Sequence, residues 1–165
     1  MAKKAKKSNF EYKRLLLSML LSFSAAIIGS IFTFREIPTW YAGLVKTPIS
    51  PPNWLFGPMW TVLYFLIGLS FYYIWVKGFK TYQSKLVLAL YIIQLVLNAA
   101  WSIVFFGLHS LIGGAILIVF LWFSIVGNIV EAREVSKTAA YLLLPYLAWV
   151  TIATILNISV LWFNA

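Results

Sequence analysis

Three stripes of polar and aromatic residues carry most of what this sequence could use for chemistry. Gln94, Asn98 and Ser102 recur every four residues with Trp101 beside them, so one helical face carries all four. Tyr146, Trp149, Ala153 and Asn157 share a second stripe, and Trp60, Tyr64 and Gly68 share a third. These types suit recognition better than bond-breaking. With no cysteine, the chain has no disulfide, thiolate metal site or thiol nucleophile, and with His109 as its only histidine it has no multi-histidine metal cage. Large aromatics with a few amides and hydroxyls make a pocket for a flat, apolar, partly polar molecule. The same residues would equally serve as glue between helices and as a belt at a membrane interface. Periodicity leaves both readings open, although Trp60 and Trp101 lie away from obvious span ends.

The elements that must position these stripes follow from composition. The chain has 165 residues, 62% of them hydrophobic, and a mean hydropathy of +0.91. Five charge-free apolar runs stand out, at 15–34, 54–76, 86–107, 111–130 and 139–162. Each is long enough to cross a hydrocarbon core of about 30 Å as a helix, and all are too uniformly apolar for barrel strands. The predicted fold class is an all-α integral membrane protein. Residues 1–14 form a basic tail and 15–165 a single five-span domain. The run from Leu15 continues apolar to Phe34, which favours a retained span over a cleaved signal. Small residues there, Ala25 with Gly29 and Ser22 with Ala26 and Ser30, are spaced for close helix packing. No Asp, Glu, Lys or Arg lies inside a run, which argues against proton pumps, ion-coupled carriers and voltage sensors. No internal repeat suggests a transporter of inverted halves.

The net charge of +9 sits in the tail and the loops, so it is read as a topology signal and nucleic-acid binding is not expected. Eleven basic residues fall on the side of the N-terminus, in the tail, at Lys77, Lys80 and Lys85, and at Arg133 and Lys137. Only Arg35 and Lys46 fall on the other. The expected arrangement is a multi-pass protein of a prokaryotic cell membrane, with its N-terminus cytoplasmic and its first loop outside.

That first loop raises its own question. The stretch TWYAGLVKTPISPPNWLFGPMW, residues 39–60, packs four prolines and three tryptophans between two apolar runs. Pro38, Pro48, Pro51 and Pro52 fix φ and stop helix formation, giving a pre-shaped connector able to cap a cavity. Asn53 is expected to cap the second span, and Pro58 to lie about one turn inside it, tolerated or as a mild kink. Leu108, His109 and Ser110 make a tight turn between spans three and four, with His109 read as an interfacial residue rather than a ligand or base.

The run WYAGLVKTPISPPNWLFGPMWTVLY resembles the signature of the TspO/MBR family, the tryptophan-rich sensory proteins and translocator proteins. QLVLNAAWSIVFF and LLLPYLAWVTIATILNISVLW agree in order and position, so the resemblance covers residues 15 to 163. It implies a five-helix bundle with the first loop over a pocket, assembled as a homodimer. It also implies binding of porphyrins such as protoporphyrin IX and haem, with no cofactor required and the lipid bilayer as surroundings. Carried over residue by residue, the family's pocket falls on Tyr41, Pro51, Trp60, Asn98, Trp101, Ser102, Trp149 and Ala153. Trp60 and Trp149 match tryptophans associated with light-dependent porphyrin breakdown, which makes such an enzyme the alternative reading. A structural membrane protein with a vestigial pocket is the second alternative. The sequence departs from the family at Ile49, which stands where a loop tryptophan is common, and its C-terminus lacks the sterol motif of animal members.

Overall fold

A computed structural model describes residues 11–164. The basic tail up to residue 10 lies outside them, as does its expected cytoplasmic position. Among the described residues, five helices are long and apolar enough to cross a membrane. In chain order, α1 is Tyr12–Glu36 and α2 is a single turn, Trp40–Gly43. A 3₁₀ turn, Asn53–Leu55, then leads into α3, Phe56–Trp75. Next come α4, Tyr82–Ser102, and α5, Leu111–Val135. The fifth span is α6, Lys137–Leu142, followed by α7, Leu144–Asn164.

Each helix starts or stops for a local reason. Thr81 caps α4 by accepting from the Ser84 amide at 3.1 Å, while Ser84 accepts from the Thr81 amide at 3.1 Å. Ser110 caps α5 through the Gly113 amide at 3.1 Å. These caps lie outside the apolar runs, so the helices extend beyond them. α5 continues five residues past Val130 and carries Glu131, Arg133 and Glu134, leaving Ser136 as the whole connector to α6. The expected cap at Asn53 is not made: that residue opens the 3₁₀ turn, and no side chain caps either it or α3. Pro58 falls in the first turn of α3, where its missing N–H is no loss. Pro145 sits in the same position in α7, just after the break at Leu143.

α4 ends in a π turn at Ile103–Gly107, with the Leu108 amide bonded to the Ile103 carbonyl at 2.9 Å. The extra residue in that turn lets the neighbours Phe105 and Phe106 both face inward, at 2% and 4% exposure. His109 follows with a φ of 52°, the left-handed conformation that lets so short a turn reverse the chain.

α1 packs on α3 and α4 through its smallest side chains, Ser18, Ser22, Ala25 and Gly29, all buried. The Ser22 hydroxyl donates to the Tyr64 carbonyl at 2.7 Å. α3 is tied to α6 by Ser70 and the Ala139 carbonyl at 2.8 Å, and α5 to α7 by the Trp122 indole and Thr151 at 2.8 Å. Outward faces are apolar, with Leu20, Ile31, Phe120, Phe123 and Ile155 all exposed. That is the pattern of helices bathed in lipid, where each backbone group must be bonded internally.

The first loop is held, not loose. The Asn164 side chain clamps Val45 in both directions, accepting from its amide at 2.9 Å and donating to its carbonyl at 3.0 Å. The Lys46 ammonium lies 4.6 Å above the Tyr41 ring and donates to the carbonyls of Tyr41, Ala42 and Leu44. At the same end His109 stacks on Trp40, centroids 4.4 Å apart, with its Nε2 2.9 Å from a Glu36 carboxylate oxygen.

Candidate functional site: an aromatic cavity between α1, α3 and α4

Residues four apart on α3 and α4 converge on one cavity of about 200 Å³ beneath the loop end of the bundle. Trp60 and Tyr64 line it from α3, and Asn98, Trp101 and Ser102 from α4. α1 supplies the opposite wall with Phe23, Ala26, Ser30 and Thr33, and Phe56 and Phe106 close the end nearest the loop. Its rim runs between α1 and α3, where Ile27, Phe34 and Thr61 are exposed on the outer face of the bundle. The lining holds no carboxylate, ammonium, guanidinium, imidazole or thiol. Among the described residues no group of acidic or histidine side chains could hold a metal.

The polar centre of the wall is a relay. The Tyr64 hydroxyl donates to Asn98 Oδ1 at 2.6 Å, and Asn98 Nδ2 donates to the Tyr146 hydroxyl at 2.9 Å. Asn98 is 2% exposed and joins α3, α4 and α7 through one amide. Trp60 rests against this relay, 5.7 Å from the Tyr64 ring and 6.3 Å from that of Tyr146. Trp101 stacks on Phe105 at 5.4 Å and meets Phe106 edge-on at 5.7 Å.

The structure brings together four of the eight residues read from the sequence, Trp60, Asn98, Trp101 and Ser102. Tyr41 and Ala153 line a separate small chamber on the far side of Trp101. Burial raises the pKa of the Tyr41 hydroxyl, so it stays protonated. Trp149 is buried behind Phe56, 5.9 Å away and edge-on, and lines neither space. Pro51 lines neither space either; it is half-buried in the loop. The stripe Trp60–Tyr64–Gly68 divides in two. Its first two members face the cavity, and Gly68 packs on α1, where a Cβ would lie 2.7 Å from Met19 Sδ.

Sequence reasoning missed the α1 wall and Phe56. Ala26 and Ser30, spaced for helix packing, line the cavity, while Ser22 and Ala25 make the helix contact and Gly29 does both. The recurrence of small and hydroxyl residues at 26, 30 and 33 was the available signal. Phe56 lies within the second apolar run, 54–76, one turn before Trp60, at the head of the same stripe.

Five helices long and apolar enough to cross a membrane, three of them enclosing a cavity of indole, phenol and amide groups, define an integral membrane protein. The TspO/MBR family profile matches residues 18–163, and the chain belongs to that family. It is 43% identical over 152 residues to the tryptophan-rich protein TspO of Archaeoglobus fulgidus, covering 92% of this chain and 97% of the relative. It is 38% identical over 134 residues to the human translocator protein, covering 81% and 79%. Against a tryptophan-rich sensory protein of Cereibacter sphaeroides the identity is 32% over 125 residues, covering 76% and 77%.

Proposed function

We propose that the protein is a membrane receptor that binds porphyrins, protoporphyrin IX and haem first among them, and related flat apolar molecules in the cavity between α1, α3 and α4. The lining carries this reading: Trp60, Trp101 and Phe56 supply ring faces, while Asn98 and Ser102 supply hydrogen bonding. A wall whose hydroxyls have no carboxylate, imidazole or amine beside them to activate them suits binding rather than hydrolysis. At about 200 Å³ the cavity is below the range of about 300–1,000 Å³ usual for drug-sized ligands. A porphyrin therefore enters by parting the walls.

Titrating the purified protein in lipid nanodiscs with protoporphyrin IX in the dark tests this. Tryptophan fluorescence should quench saturably, and Trp60→Leu should weaken binding about tenfold or more, the scale of losing a buried aromatic anchor. Exposed Trp162 is the control, and its replacement should change nothing. Quenching that rises linearly in every variant would mean partition into lipid only. Repeating the titration under illumination separates receptor from enzyme. A new absorbing product that disappears in Trp60→Leu or Trp149→Phe would favour the light-dependent enzyme.

The proposal includes a cytoplasmic N-terminus. Lys13, Arg14, Lys77, Lys80, Lys85, Arg133 and Lys137 gather at one end of the bundle, where Arg14 also donates to the Trp75 carbonyl at 3.2 Å. In intact bacterial cells, Ile49→Cys in the first loop should react with a membrane-impermeant maleimide. Gln83→Cys, at the basic end, should react only after permeabilisation. The reverse pattern would invert the orientation.

A further inference from the structure

The small chamber beyond Trp101 has a volume of about 30 Å³, room for one water-sized group. Asn157 lines it from α7 and is 3% exposed, yet neither its Oδ1 nor its Nδ2 has a partner within the protein. Native folds pair nearly all buried polar atoms, so an amide with both ends open marks a place where a partner arrives. The Trp101 Nε1–H is buried and unpartnered as well. Phe56, Trp101 and Phe106 line both the chamber and the larger cavity, so the two spaces are separated only by side chains. Phe56 is the half-buried member of this partition, at the very start of α3.

We propose that the chamber is an oxygen subsite, in which Asn157 Nδ2–H donates to an uncharged carbonyl or hydroxyl oxygen of an aromatic ligand whose rings occupy the larger cavity. No charged side chain lines the chamber, so a carboxylate would enter without compensation and is excluded. Phe56 turns aside to admit the oxygen. This inference rests on the larger cavity being a binding site. Water offers the same chemistry as a ligand oxygen, and the test distinguishes the two.

Fluorenone and fluorene are flat tricycles that differ by one carbonyl group. Each is titrated against the nanodisc-embedded protein by displacement of protoporphyrin IX, with its lipid partition subtracted. The wild type should prefer fluorenone about tenfold, the scale of a hydrogen bond that satisfies a buried group. Asn157→Leu should abolish that preference and leave fluorene binding unchanged. If that variant does not fold, the smaller Asn157→Ala takes its place. The infrared carbonyl stretch of fluorenone then reads the contact directly. It should lie at lower wavenumber in the wild type than in protein-free nanodiscs, and return toward that value in Asn157→Ala. An equal preference in wild type and variant, or an unshifted band, overturns the subsite and leaves the chamber to water. If protoporphyrin IX still binds saturably in that case, the receptor reading stands without it. If neither protoporphyrin IX nor fluorenone binds saturably, both proposals fall.

Discussion

Asn98→Leu should lower the thermal stability of the protein sharply and weaken whatever the cavity holds. The substitution keeps the branched outline of the side chain but removes both ends of the relay, leaving the Tyr64 and Tyr146 hydroxyls buried without their partner. A hydrogen bond between membrane helices is worth about 0.6–2 kcal/mol. A buried hydroxyl left unpaired costs about 1–3 kcal/mol. The loss should therefore come to about 2–4 kcal/mol, with Trp60 losing the surface it rests on. Tyr146→Phe alone removes one of the two bonds and leaves only an Asn98 N–H unpaired, so it should cost less. Unfolding in detergent micelles, followed by tryptophan fluorescence, measures both. A melting temperature for Asn98→Leu equal to that of the wild type would show that the relay does not hold the wall.

Gly68→Val should do harm on a similar scale, and chiefly by packing. A Cβ at Gly68 would stand 2.7 Å from Met19 Sδ, which can swing away. It would also lie 3.3 Å from Met19 Cα and 3.3 Å from the Ser18 carbonyl oxygen, which are backbone and cannot move unless the helix does. Alanine requires a few tenths of an ångström. Valine adds two γ-carbons in a restricted rotamer and forces α1 off α3. Overpacking of this kind costs about 1–3 kcal/mol and rises when the obstacle is backbone. Separation of α1 from α3 also breaks the bond from Ser22 to the Tyr64 carbonyl. The expected result is poor recovery of folded protein, with Gly68→Ala intermediate in melting temperature. Normal stability in Gly68→Val would mean that the two helices pack less closely here than described.

The five spans were legible because a run of about 20 charge-free apolar residues has few other stable forms in a membrane. Helical spacing put Asn98, Trp101 and Ser102 on one face and Trp60 with Tyr64 on another, and only the resemblance to the family joined the two faces into one pocket. Spacing does not reveal what a face meets. It placed Asn98 correctly but not its tyrosine partners, which come from α3 and α7. Nor did it separate Ala26 and Ser30 at the cavity from Ala25 at the helix contact, or show that Gly29 serves both, since small residues suit either place. Chain reach hid the clamp on the loop, because Val45 and Asn164 lie 119 residues apart. The cap expected at Asn53 failed for a local reason: Pro52, in an extended conformation, starts a 3₁₀ turn in its place.

The cavity rim carries exposed Ile27 and Phe34 on α1 and Thr61 on α3, two helices long and apolar enough to cross a membrane. Under the proposed receptor function, ligands reach that rim from a two-dimensional reservoir, the bilayer, where hydrophobic solutes accumulate. A molecule with a membrane partition coefficient of about 1,000 gains about 4 kcal/mol of apparent affinity when its concentration is counted in the aqueous phase. Modest contacts with Trp60 and Trp101 then suffice for occupancy at trace aqueous levels. Occupancy consequently follows the solute load per unit of membrane area, and it falls when lipid is added at constant total ligand.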